Sequence, residues 1–109
     1  MAVLHPHPTG TRLGQFEVIS YSIPSDVSID YVCLDHENSC PVLLKTLRPE
    51  LQPSRVACDF FAQSGAAWMG LGPHPHIVRC YNVLRLNDAS EVYLVLQVVV
   101  PERELDSAH

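Results

Sequence analysis

Lys45 is the residue whose type and setting first suggest chemistry. It follows the apolar run Val42-Leu43-Leu44, and the pattern there predicts a strand over Val42 to Leu47. A lysine in this setting can carry a function or can be an ordinary strand side chain. The residues around it leave both interpretations open.

Two histidine pairs could in principle bind a metal ion. Each pair flanks a proline, in His5-Pro6-His7 and in His74-Pro75-His76. Paired histidines without cysteine or acidic neighbours have poor spacing for zinc, so we predict no metal site. Proline also fixes a turn, which explains the second pair without a ligand.

The cysteines give no sign of a metal or redox motif. They are widely spaced and contain no C-x-x-C pair, so a zinc ribbon or thioredoxin-type site is disfavoured. A cysteine in an apolar run usually behaves as a small buried hydrophobic residue, and two of the four cysteines lie in such runs. We therefore expect four reduced thiols, at Cys33, Cys40, Cys58 and Cys80.

Composition limits the class of protein. The chain has 109 residues, of which 47% are hydrophobic and 17% charged, as expected for one small folded domain. A net charge of −5 does not suit binding to nucleic acid or to an anionic membrane. No apolar run is long enough to span a bilayer, and the start lacks the features of a secretory signal. We expect a cytoplasmic protein.

Hydrophobic patterning predicts five strands and one long helix. The helix is expected from Arg55 to about Met69, with Ser54 as its N-cap. Gly65 lies within it, at a cost of about 1 kcal/mol relative to alanine. Residues at three- and four-residue spacing mark its expected buried face, which comprises Ala57, Phe60, Phe61, Ser64, Ala67, Trp68 and Leu71. The strands are expected at residues 15–21, 29–34, 42–47, 78–86 and 92–100.

The order of these motifs resembles the small lobe of a protein kinase. The stretch Leu44 to Leu51 is followed, after the helix, by Leu71 to Val78 with its His-Pro turn, and this is most similar to bacterial serine/threonine kinases. The resemblance implies an α+β fold, an antiparallel five-stranded sheet with one long helix packed on it. It divides the chain into an N-terminal arm (1–13), a small-lobe-like domain (14–105) and a C-terminal tail (106–109).

The same resemblance implies that Lys45 is the remnant of the family's ATP-anchoring lysine, but its usual companions are missing. The glycine positions of the family's phosphate-binding loop fall near Ile23, Ser25 and Ser28, and the valine after them falls near Asp30. Side chains there would block a close approach of backbone to phosphate, and the acidic residues would repel it.

The glutamate that holds the lysine in the family is also absent. Its helix position falls at Ser64 if the loop before His74 is one residue longer, and at Gly65 otherwise. The catalytic loop and the magnesium-binding motif belong to the large lobe and do not occur in this sequence. We therefore expect that the chain alone is not an enzyme and uses no cofactor.

We expect the chain to be a catalytically inactive, kinase-like small lobe that serves as a protein-interaction or regulatory module. One alternative is the N-terminal fragment of a longer serine/threonine kinase, whose ATP site is completed by further sequence. Another is an unrelated α+β binding domain.

The expected partner is another protein or a second copy of the chain. The last strand is apolar on both faces, and such a strand is usually covered on both faces by other parts of the protein. The single predicted helix can cover only one of these faces. The residues that we predict to bind the partner are Tyr81, Val83, Val98 and Val99.

Overall fold

The computed structural model describes residues 6–88 and 90–98 of the chain. Its helix, α1, spans Arg55–Met69, and a short 3₁₀ turn at Pro49–Leu51 precedes it. The strands are β1 (Arg12–Leu13), β2 (Phe16–Ser22), β3 (Ser28–Asp35), β4 (Cys40–Leu47), β5 (Cys80–Leu86) and β6 (Glu91–Leu96).

The described strands form one antiparallel sheet in the order β1-β2-β3-β4-β6-β5. The helix packs against β5 and β6, so the predicted α+β fold is confirmed. The sheet has one strand more than predicted, because the chain reverses direction at Gly14. The φ of this residue is 61°, a backbone conformation that glycine adopts readily. Leu13 thereby pairs with Phe16.

The N-terminal arm predicted at residues 1–13 packs on the domain in its described part. Leu13 is buried in the apolar cluster on the sheet face opposite the helix. The backbone N–H of His7 donates to the Tyr31 hydroxyl at 3.0 Å, and its Nε2 lies 3.0 Å from the Tyr93 hydroxyl. The division of the chain at residues 13 and 105 stays a prediction.

The helix begins where the sequence predicts. The hydroxyl of Ser54 accepts a hydrogen bond from the backbone N–H of Ala57 at 3.2 Å, which is the usual N-cap geometry. The buried face, however, is rotated from the predicted one. The most buried helix residues are Cys58, Ala62 and Gly65, whereas Phe60 is 71% exposed.

The strand β6 is covered on both faces by the chain itself. All five residues from Val92 to Leu96 are buried. Val92, Leu94 and Leu96 belong to the clusters on the helix side, while Tyr93 and Val95 join the opposite cluster with β2 and β3. Side chains of the chain itself therefore cover both faces, and the strand's apolar pattern needs no partner to explain it.

The regular alternation of side chains in a strand is interrupted in β5. The register shifts between Cys80 and Asn82, which places Cys80 on the helix side together with Val83. Such a bulge puts one extra residue in a strand and reverses the alternation beyond it.

Among the described residues, no helix is long and apolar enough to cross a membrane.

Candidate functional site around Lys45

Lys45 lies on β4 directly opposite Asp30 of β3. Its Nζ is 2.7 Å from Asp30 Oδ1, and the two side chains are only 24% and 18% exposed. The pair is therefore close enough for a charge-assisted hydrogen bond and is partly shielded from water. Lys45 is also the only lysine in the sequence.

This ion pair was missed by the sequence interpretation, although a signal for it was present. The β3–β4 hairpin runs in unbroken register from Asp35 opposite Cys40 to Asp30 opposite Lys45. Extending the predicted hairpin without a bulge would have placed the two charges side by side on one face of the sheet. Asp30 had been considered only as a charge unfavourable to phosphate.

The structure distinguishes the two positions proposed for the missing glutamate. Gly65 is buried against Leu94 and Val83, so a side chain there would point into the core. Ser64 is exposed and borders the same groove as Lys45. Its hydroxyl donates to the carbonyl of Phe60 at 2.9 Å. Of the two positions, Ser64 is therefore the one that borders the same groove as the lysine.

A groove of about 300 Å³ lies between the helix, the turn before β3 and Lys45. We call it the helix groove. Its lining is mainly apolar, apart from the lysine and three hydroxyl groups, so it suits an apolar group better than a charged one. The lining residues are Ser25, Val27, Ser28, Lys45, Leu47, Ala57, Phe60, Phe61 and Ser64.

In the turn before β3, two backbone N–H groups donate hydrogen bonds within the turn itself. The hydroxyl oxygen of Ser25 accepts hydrogen bonds from the backbone N–H groups of Val27 at 3.1 Å and Ser28 at 3.2 Å. Backbone N–H groups are what a phosphate-binding loop offers to its ligand. In this turn those two donors are already bound to Ser25.

A second groove, of about 710 Å³, lies on the sheet face opposite the helix. We call it the outer groove. Tyr81 and Val98 border it, and Tyr81 is 45% exposed. Val83 instead packs on the helix side, and Val99 lies outside the described residues. Of the four predicted partner-binding residues, two thus lie along one surface.

Asp35 fixes the β3–β4 hairpin at the rim of the outer groove. Burial alone would raise its pKa, but hydrogen bonds from Asn38, Gln15 and the backbone N–H of Glu37 outweigh burial and hold the pKa below its ordinary value. Its oxygens accept from the side chains of Gln15 at 3.0 Å and Asn38 at 2.8 Å. This carboxylate is structural, because its hydrogen bonds hold the β3–β4 loop and join it to Gln15 between β1 and β2.

The other candidate residues that the structure describes do not form a site, and His5 of the first histidine pair lies outside the described residues. The backbone N–H of His76 donates to His74 Nδ1 at 3.1 Å, and both residues are exposed. The four cysteines are free thiols. In the part of the chain that the structure describes, no three His, Cys, Asp or Glu side chains are grouped as metal ligands would be.

Comparison with known proteins identifies the architecture. No family model and no curated protein matches the chain, but solved structures of bacterial serine/threonine kinase domains do. The chain has the fold of a kinase small lobe. PpkA-294 in its apo form matches with a TM-score of 0.69 at 16% identity, over 85% of this chain and 38% of that one. The Mycobacterium tuberculosis PknI kinase domain matches with a TM-score of 0.67 at 15% identity, over 87% of this chain and 38% of that one.

These matches correct one expectation. We expected the chain not to be an enzyme, and this is contradicted because the structures it resembles are kinase domains. The chain spans little more than a third of their length. Similarity at this level of identity establishes the fold of one lobe.

Proposed function

We propose that this chain is the small-lobe part of a longer kinase-type protein and that it works by docking on a large lobe. The observation that carries the proposal is the extent of the structural match. About 85% of this chain superimposes on 38% of a kinase domain, so the natural counterpart of the lobe is the remaining part of such a domain. The proposal includes a cytoplasmic location, which the four free thiols support.

Exposed apolar side chains supply a physical reason for docking. Met69, Leu71 and Ile77 are 37%, 57% and 39% exposed, and they lie close together in sequence between the end of the helix and β5. Apolar side chains grouped on a surface often mark an interface. In a docked protein, these three would be covered by the partner lobe.

The test begins with the mass of the natural gene product, measured on the intact protein. We expect a product long enough to contain a large lobe. Amide hydrogen exchange should then be slower at residues 69–77 in that product than in the 109-residue chain. Exposed Val56 on the helix provides an internal control segment. A natural product of the same mass as this chain would contradict the proposal.

A second candidate function is a protein-interaction module that binds another protein or a second copy of itself. The strand β5 is at the edge of the described sheet, and an edge strand has free backbone groups that can pair with another chain. Tyr81 of β5 and Val98, which both border the outer groove, would add side-chain contacts.

Light scattering at micromolar concentration tests self-association. We expect a dimer for the wild-type chain and a shift toward monomer for Val98→Glu, because a charge in the outer groove opposes burial. Val56→Glu, at a side chain that is 80% exposed on the helix, is the matched control and should leave the mass unchanged. A wild-type chain that is strictly monomeric, and binds no other protein, contradicts this second function.

A further inference from the structure

The counter-ion of Lys45 comes from the neighbouring strand. The two residues are register partners in an antiparallel hairpin, so the backbone hydrogen bonds of β3 and β4 fix their separation. No residue of the helix takes part in the ion pair. The lysine's charge is satisfied within the sheet.

We propose that Asp30 is a built-in competitor for anions at Lys45 and that it decides whether this lysine can bind a phosphate. A carboxylate oxygen and a phosphate oxygen make the same charge-assisted hydrogen bond to an ammonium group. With Asp30 Oδ1 at 2.7 Å, one carboxylate already occupies the lysine. A second anion at the same Nζ would lie within a few ångströms of the Asp30 charge and be repelled by it.

The surroundings of the pair add little that would offset this repulsion. The helix groove beside Lys45 is mainly apolar, and the N–H groups of Val27 and Ser28 are bound to Ser25. Asp30 is therefore the group whose removal changes the site most. Without it, Lys45 is a partly buried cation that has lost its carboxylate partner, and such a charge attracts an anion.

The first experiment measures anion binding by the full 109-residue chain. Inorganic tripolyphosphate and Mg·ATP are titrated calorimetrically into the wild type, Asp30→Asn and the double variant Asp30→Asn/Lys45→Met. We expect no measurable binding by the wild type and, for Asp30→Asn, an affinity at least about tenfold above the weakest that the titration detects, equivalent to about 1.4 kcal/mol. The double variant should lose this gain.

Asp26→Asn is the matched control. Asp26 is an exposed carboxylate in the turn before β3, so its removal changes the net charge equally without touching the pair. Equal affinities for Asp30→Asn and Asp26→Asn would overturn the proposal, because net charge alone would then explain the gain. Tight binding by the wild type would also overturn it.

The second experiment uses the fact that Lys45 is the only lysine. Acylation by an activated ester, followed by peptide mass spectrometry, reports on this one side-chain amine. We expect Lys45 to react about fivefold or more faster in Asp30→Asn than in the wild type or Asp26→Asn, since an ion-paired amine is a poor nucleophile. Equal rates in all three would contradict the proposal.

Asp30→Thr provides a second route if Asp30→Asn folds poorly, because threonine is well suited to a strand. Circular dichroism establishes that each variant is folded before titration. The same pattern of binding and acylation is expected for both substitutions. A folded Asp30→Thr variant that neither binds tripolyphosphate nor reacts faster would rule the inference out.

Discussion

Gly65 of the helix lies directly against Leu94 of β6, the strand between β4 and β5. A Cβ at Gly65 would fall within contact distance of the Leu94 side chain and 2.8 Å from Cγ2 of Val83. Leu94 is only 2% exposed and has little room to move. The glycine therefore sets how closely α1 can approach the sheet.

We predict that Gly65→Ala destabilises the protein in spite of alanine's better helix propensity. The propensity gain is about 1 kcal/mol, while overpacking of a core costs about 1–3 kcal/mol, so a net loss of up to roughly 2 kcal/mol is expected. Urea unfolding measures it. Ala66→Gly at the neighbouring exposed position calibrates the propensity term in the same helix. A Gly65→Ala variant more stable than the wild type would contradict the close packing.

The helix shows what the sequence can and cannot predict. Its ends were predictable, because the Ser54 cap is a local signal. Its buried face was not, because small residues such as Ala62 and Gly65 face the sheet and large Phe60 faces water. A pattern that ranks residues by hydrophobicity alone assigns these positions to the wrong sides.

The rotated face gives a prediction for two adjacent phenylalanines. Phe61 packs with both clusters on the helix side of the sheet, so Phe61→Ala should cost about 2–4 kcal/mol, slightly less than a fully buried phenylalanine. Phe60 is 71% exposed, so Phe60→Ala should change stability by less than about 0.5 kcal/mol. Chemical unfolding of the two variants is the measurement. Similar losses for both would mean that the helix is rotated from its position here.

Trp68 combines packing with one hydrogen bond. Its indole Nε1 donates to the carbonyl of Val78 at 2.7 Å, which joins the helix to the segment before β5. Trp68→Phe keeps an aromatic ring but removes the donor and should cost about 1–2 kcal/mol. Trp68→Ala should cost about 3 kcal/mol or more. Thermal and urea unfolding compare the two, and a Trp68→Phe variant as stable as the wild type would indicate that the hydrogen bond contributes nothing.

Stability should fall at alkaline pH because buried acids resist ionisation. Burial raises the pKa of Cys33 from 9.0 to about 12, and burial also raises the pKa values of Cys80, Tyr31 and Tyr93. Above the unfolded-state pKa, the unfolded chain loses protons that the folded chain retains. Each such group then lowers stability by about 1.4 kcal/mol per pH unit.

The loss should begin near pH 9, where the unfolded thiols ionise, and grow above about pH 10 with the tyrosines. Stability below about pH 8 should not depend on these groups. Urea unfolding under reducing conditions across this range gives the slope. Cys33→Ala should reduce the slope near pH 10 by about 1.4 kcal/mol per pH unit, with each variant compared to its own stability at neutral pH. An unchanged slope would mean that the buried thiol ionises freely in the folded state.

At the site, the sequence located Lys45 and the absence of its usual companions, because both depend on order along the chain. It did not reveal that Asp30 pairs with the lysine, since that depends on an unbroken hairpin register. Nor did it show that Ser25 takes up the turn's backbone donors. These features arise from contacts between neighbouring segments, which hydrophobic periodicity does not encode.

The last prediction asks whether the helix can still supply a counter-ion to Lys45. Ser64 borders the helix groove together with the lysine, so a glutamate there should be able to extend toward Nζ. In the Asp30→Asn background, where Lys45 has lost its partner, Ser64→Glu should return the acylation rate of Lys45 to within about twofold of the wild type. The physical reason is that a half-buried ammonium group gains from any carboxylate within about 4 Å. Gln63→Glu, at the neighbouring exposed position, is the matched control and should leave the rate high. If Ser64→Glu slows the acylation of Lys45 no more than Gln63→Glu does, residue 64 does not lie close to the lysine as the structure indicates.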